Sequence, residues 1–134
     1  MYAIKVGLAA EISRQVKESE SAQAWGSGAL AVFSTPALVG LMESAAMSAL
    51  EGCLAEGQTT VGSRISVRHL AATPIGMSVR ARAELVTVDG RKLVFSIQAW
   101  DEVELIGEAE HDRHVVDGSR FMNRVNAKSG GPGS

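Results

Sequence analysis

The stretch Ser34-Thr35-Pro36-Ala37-Leu38-Val39-Gly40-Leu41-Met42-Glu43-Ser44-Ala45-Ala46 decides the fold. Thr35 sits where a helix N-cap belongs, and Pro36 follows at the first helical position, where its missing N–H is harmless. The apolar run continues through Met47, Leu50, Cys53 and Leu54 to Ala55, with Gly57 as a stop. The expectation is a helix of about twenty residues, long for a soluble domain. At about 100° per residue, Ser44, Ser48, Glu51 and Ala55 form its polar stripe. Glu43 falls off that stripe, beside Val39, Gly40, Ala46 and Met47. Burying a charge is costly unless it is paired or hydrogen-bonded. Glu43 is therefore either a carboxylate that needs a partner or lines a cavity, which suits acid–base or nucleophilic chemistry, or a helix-edge residue that reaches water.

After this helix the pattern switches to period two. In Thr60-Val61-Gly62-Ser63-Arg64-Ile65-Ser66-Val67-Arg68-His69, one face holds Val61, Ile65, Val67 and His69, and the other Arg64, Ser66 and Arg68. Gly62 inside the run suggests a bulge or a close backbone approach. Two further runs, Val79–Val88 and Leu93–Trp100, flank Asp89-Gly90, the strongest hairpin signal in the chain. A turn at Asp101-Glu102 leads into a long strand from Val103 to Val116, and Asp117–Phe121 reads as a turn or a helical cap. Upstream, Leu8–Val16 alternates loosely as a first strand, residues 17–23 read as a loop, and Trp25–Phe33 as a short helix or connector. A sheet with one apolar face must cover it, and one long helix is available. The expected class is α+β: a curved antiparallel sheet of about five strands wrapped around the helix, the hotdog arrangement. Exposed sheet edges and uncovered apolar surface imply at least a dimer.

With 134 residues the chain fits one domain over residues 1–125, followed by a flexible Gly/Ser-rich tail over residues 126–134. A net charge of −2, with three Phe, two Trp and one Tyr, argues against a nucleic-acid surface. Cys53 is the sole cysteine and sits on the apolar side of the helix, so a buried structural thiol is expected and no intrachain disulfide can form. Gly40, Glu43, Ser44 and Glu51 interrupt the best apolar run, and the N-terminus lacks the basic-then-apolar order of a signal peptide. A cytoplasmic protein that neither enters membranes nor binds nucleic acid is expected.

Three side chains can carry chemistry together. His69 shares the parity of the strand's apolar face and lies at its far end. It is either a core histidine or a partner of Glu43 and of the Thr35 hydroxyl. Thr35 and Glu43 are eight residues apart, about 12 Å along the axis, so a substrate could span them or a second subunit could bring one closer. Hydroxyl, carboxylate and imidazole are the parts of acyl transfer. His111 and His114 fall on opposite faces of a strand, which excludes a shared metal ion.

The order and spacing of Thr35-Pro36, Leu41–Ala46, Thr60–Ser63, His69–Gly76, Asp89-Gly90-Arg91, Gly107 and His111-x-Arg113 resemble the fluoroacetyl-CoA thioesterase group of hotdog proteins, from residue 7 to about 125. The resemblance implies that Thr35, Glu43 and His69 are catalytic and that Gly62 and Arg113 contact substrate. Arg113 has the parity of Ala109 and Val115, and facing inward it needs an acidic partner. The implied reaction is hydrolysis of a short acyl-CoA thioester in a homodimer with sites at the interface, with no metal and no cofactor beyond the coenzyme A of the substrate. Glu43 would attack the carbonyl or activate water, and Gly62 would offer its N–H to the thioester oxygen. Family members selective for the fluorinated substrate carry bulky phenylalanines before the helix. Gly26 and Ala29 stand there in this chain, with Trp25 and Phe33 nearby, so that gate is absent or rebuilt. Two other readings use the same residues: a hotdog enoyl-CoA hydratase or dehydratase, and a non-catalytic acyl-CoA binding or sensing module.

Overall fold

In the computed structural model, which describes residues 3–130, the period-two runs become five strands: β1 (Ala9–Gln15), β2 (Gln58–His69), β3 (Ser78–Asp89), β4 (Lys92–Trp100) and β5 (Leu105–Asp117). They form one antiparallel sheet in the order β1-β3-β4-β5-β2. The helices are α1 (Ala22–Trp25), α2 (Thr35–Ala49) and α3 (Gly118–Ala127). All five strands contact α2, so the expected α+β hotdog arrangement is the observed one. Among the described residues no helix is long and apolar enough to cross a membrane.

Leu38, Leu41, Met42, Ala45 and Ala46 on α2 are buried against Ala81, Ala83, Leu85, Phe95, Ile97, Ala99 and Ile106. Each large side chain removed from water contributes roughly 1.5–3 kcal/mol. The alanines let the helix approach closely, and Gly107 completes the fit. A Cβ there would stand 2.9 Å from Leu38 Cδ2 and 3.0 Å from Met42 Cε. The opposite face of α2 has no such cover: Val39, Gly40 and Glu43 are partly exposed, and Met47 is exposed.

Several local expectations shift. The N-cap of α2 is Ser34, not Thr35: the Ser34 hydroxyl accepts the Ala37 N–H at 3.2 Å, which leaves Thr35 inside the first turn with a free hydroxyl. The helix has 15 residues rather than about twenty. It gives way after Ala49 to tighter turns, Leu50 N–H to the Met47 carbonyl and Cys53 N–H to Leu50, with Gly52 at φ 77°. That left-handed backbone breaks the helix five residues before Gly57, and glycine adopts it at no steric cost. In β2 the register shifts between Gly62 and Arg64. The extra residue reverses the facing of everything upstream of it, so Thr60, not Val61, is buried on the same side as Ile65, Val67 and His69.

The stretch 17–23, read as a loop, contains a 3₁₀ turn at Glu18–Glu20 and the start of α1, whose cap is Ser21. After α1 the chain runs irregularly to Phe33, which is buried. The Asp89-Gly90 hairpin forms as expected, with Asp89 paired to Lys92. Cys53 is buried and free. Asp117 caps α3 by accepting the Arg120 N–H at 2.9 Å. That helix runs to Ala127, two residues into the stretch assigned to a tail. The end of the proposed tail, residues 131–134, lies outside the described residues.

Candidate active site

The five residues singled out from the sequence separate into two groups along α2. The first group stands at the helix start. Because Ser34 does the capping, the Thr35 Oγ1 is available to His69, and the two lie 2.8 Å apart through His69 Nδ1. His69 is the last residue of β2, and its other ring nitrogen, Nε2, is buried with no partner among the described residues. Burial holds the imidazole pKa below its usual 6.5, only partly opposed by the Ala71 backbone, so the ring is neutral at pH 7. A cavity of about 430 Å³ opens beside this pair, lined by Phe33, Thr35, His69, Leu70 and Ala71 among others. A neutral imidazole with one nitrogen oriented and the other unpaired is poised to exchange a hydrogen bond or a proton with a ligand.

The second group lies two turns further on. Arg113 on β5 is buried, as its inward parity required, and the acid it needs is Glu43: NH1 and Oε2 are 3.7 Å apart. Each of the three guanidinium nitrogens also makes one hydrogen bond. Nε donates to Thr60 Oγ1 at 2.9 Å, NH2 to the Thr60 carbonyl at 3.1 Å, and NH1 to His111 Nε2 at 3.1 Å. His111 Nδ1 lies 2.7 Å from the Arg64 carbonyl and must donate to it, so Nε2 carries the lone pair that Arg113 uses. Burial first, and the neighbouring guanidinium as well, keep the His111 pKa below 6.5 and the ring neutral. An imidazolium there would have no lone pair for Arg113. Burial also lowers the Arg113 pKa, with Glu43 opposing it.

Gly62 is the floor of this group. A Cβ there would meet Glu43 Oε2 and His111 Cε1, each at 3.0 Å, and Arg113 NH1 at 3.3 Å. Only glycine leaves the carboxylate where it stands. The arrangement thus offers a carboxylate held from one side by Arg113 and about 41 % exposed.

The structure therefore brings Thr35 to His69, and Glu43 to Gly62 and Arg113. No hydrogen bond or ion pair joins the two groups among the described residues. Two members were missed in the sequence. Sequence reasoning assigns His111 no role beyond a rejected metal pair and the His111-x-Arg113 motif, and it places Val61 rather than Thr60 on the inward face. The signal for His111 was its parity, since residues 109, 111, 113 and 115 face one way. The signal for Thr60 depended on locating the bulge. His111 and His114 do lie on opposite faces, one buried and one half-buried.

Comparison with known proteins places this geometry. The profile of the family described as fluoroacetyl-CoA-specific thioesterase matches residues 16–119. A fluoroacetyl-CoA thioesterase from Streptantibioticus cattleyicolor is 41 % identical over 98 residues, covering 73 % of this chain and 70 % of that protein. A crystal structure of a threonine-to-serine variant of the fluoroacetyl-CoA thioesterase FlK in complex with acetyl-CoA superimposes with a TM-score of 0.89 at 32 % identity, over 93 % of this chain and 98 % of that one. A hot-dog-like protein from Thermanaerovibrio acidaminovorans superimposes with a TM-score of 0.85 at 27 % identity, over 94 % and 93 % of the two chains. With the fold, the order of the motifs and the sequence match in agreement, the chain belongs to the fluoroacetyl-CoA-specific thioesterase family.

Proposed function

We propose that the protein is an acyl-CoA thioesterase that hydrolyses a short or small acyl-CoA thioester to the free acid and CoA. The observation that carries this reading is the Thr35–His69 pair, which borders a cavity and leaves Nε2 unpartnered, while the Glu43 carboxylate is held by Arg113 on the same helix. Glu43 either takes a proton from the water whose oxygen attacks and later returns it to the departing sulfur, or attacks with its own oxygen to form an acyl anhydride that water then hydrolyses. The carbonyl carbon becomes tetrahedral, and His69 and the Gly62 N–H stabilise the charge developing on its oxygen. Collapse breaks the C–S bond, and the CoA sulfur leaves and takes up a proton. Arg113 holds Glu43 in place. No metal and no cofactor beyond the CoA of the substrate take part.

The two groups lie about 12 Å apart along α2, too far for one thioester carbonyl to meet both. The face of α2 that carries Val39, Glu43 and Met47 is uncovered, and β2 is an edge strand. A second copy of the chain covers that face and brings Glu43 of one subunit to Thr35 and His69 of the other.

The test is thiol release from a panel of acyl-CoAs, from acetyl and fluoroacetyl to long-chain and aryl, with Glu43→Gln alongside. Glu43-dependent release establishes the activity and ranks the substrates. Hydration of crotonyl-CoA without thiol release, or binding without turnover, would replace it with the hydratase or the binding reading. Mixing inactive Glu43→Gln and His69→Ala chains tests the shared site. Recovered activity supports it, and none would return both groups to one chain.

A further inference from the structure

Six of the nine arginines have a carboxylate partner: Arg14, Arg64, Arg68, Arg80, Arg82 and Arg113. The other three, Arg91, Arg120 and Arg124, have none among the described residues, and all three line one groove of about 360 Å³. They come from separate parts of the chain. Arg91 lies in the β3–β4 turn, and Arg120 and Arg124 lie one turn apart on α3. Gln58 at the start of β2, Val116 on β5 and Phe121 on α3 line it as well. Asp117 also lines it, with one carboxylate oxygen committed to the Arg120 N–H. Like charges one helical turn apart repel, so gathering three unpaired guanidiniums is unfavourable until an anion joins them.

The position of the groove identifies that anion. Gly62 pairs with Arg113 and Gln58 with Asp117 on the same two strands. The groove therefore begins four residues, about 13 Å, from the Glu43 group. The pantetheine arm of CoA has the backbone length of about four extended residues, roughly 14 Å from sulfur to pyrophosphate. Beyond that arm the molecule carries a pyrophosphate and a ribose phosphate, the anions that planar guanidinium forks match best. Phe121 offers a ring on which adenine can stack.

We propose that this groove holds the nucleotide end of the substrate, with Arg91, Arg120 and Arg124 on its phosphates. The proposal rests on the acyl-CoA thioesterase reading and assigns recognition of the CoA handle to a site separate from the reacting groups. The test compares kcat/KM for one acyl group carried on CoA and on pantetheine, in the native protein and in Arg91→Ala, Arg120→Ala and Arg124→Ala. Adenosine 3′,5′-bisphosphate binding is titrated in parallel. In each variant the CoA-to-pantetheine ratio of kcat/KM should fall about tenfold, the scale of one charge-assisted hydrogen bond. The bisphosphate should bind the native protein and fail to bind Arg120→Glu/Arg124→Glu. An unchanged ratio in all three variants, or no bisphosphate binding to the native protein, would overturn the groove assignment. Thiol release from neither thioester would overturn the thioesterase reading alone, and the bisphosphate titration would still decide the groove.

Discussion

The two ends of the site are built on opposite terms. At the start of α2, Thr35 and His69 share one hydrogen bond, border an open cavity and leave a nitrogen unpaired. Two turns on, Arg113 spends its donors on Thr60 and His111, and His111 spends its remaining N–H on a backbone carbonyl. The first arrangement is incomplete by itself and is completed by a ligand. The second is nearly saturated, and only the outer side of Glu43 stays open. The contrast separates groups that meet substrate from groups that hold them, and it predicts that substitutions at the two ends will fail in different ways.

The largest effect is expected at the one group that is both held and open. Glu43→Gln should lower turnover a hundredfold or more, about 2.7 kcal/mol of barrier, in a protein that stays folded with a lowered melting midpoint, because the amide keeps the shape of the carboxylate but buried Arg113 loses its acid. Native turnover in this variant would remove Glu43 from the chemistry. His69→Ala should also lose turnover and stay folded, and unfolding instead would make it a core histidine.

The saturated end should fail through stability. His111→Leu strands an Arg113 N–H and the Arg64 carbonyl, at a cost of about 2 kcal/mol in urea unfolding, with His111→Gln recovering part of it. Equal stability of native protein and His111→Leu would mean that the network around Arg113 holds nothing.

A smaller effect separates two adjacent hydroxyls. Ser34→Ala should cost about 1 kcal/mol of stability as a lost cap. Thr35→Val should leave stability nearly intact and reduce turnover, because its hydroxyl serves His69. Were the stability losses reversed, Thr35 would be the cap after all.

The smallest effect is on pH. Both His69 and His111 have pKa values below 6.5 in the folded protein. The unfolded chain therefore takes up protons first, and their contribution to stability is lost as pH falls below about 6.5 toward the folded values. Urea midpoints at pH 7.5 and 5.5 should show a drop that shrinks in His111→Gln. Equal drops in both proteins would exclude His111 from the linkage.

Much of this was legible in local pattern. The apolar run from Ala37 announced the helix, strict alternation announced β2, Asp89-Gly90 placed a hairpin, and the parity of Arg113 required an acidic partner. These features depend on residues within a few positions of one another, where helix and strand periods act directly. The misread features were one-residue decisions. Ser34 and Thr35 are both competent caps, and the backbone direction entering the helix chose between them. Gly62 signalled a bulge, but its side of the glycine set which of Thr60 and Val61 turned inward.

By itself the sequence determined an α+β chain with one long apolar helix, a carboxylate off that helix's polar stripe and an imidazole at the end of a half-buried strand. Tertiary structure alone decided which groups met. Thr35 reached His69 because another residue took the cap. Glu43 reached Arg113 because β2 and β5 pair at the Gly62 bulge. His111 became a neutral acceptor because its other nitrogen lies against the Arg64 carbonyl. Periodicity sets which way a side chain faces, whereas register across strands sets what it faces, and register depends on pairings dozens of residues apart.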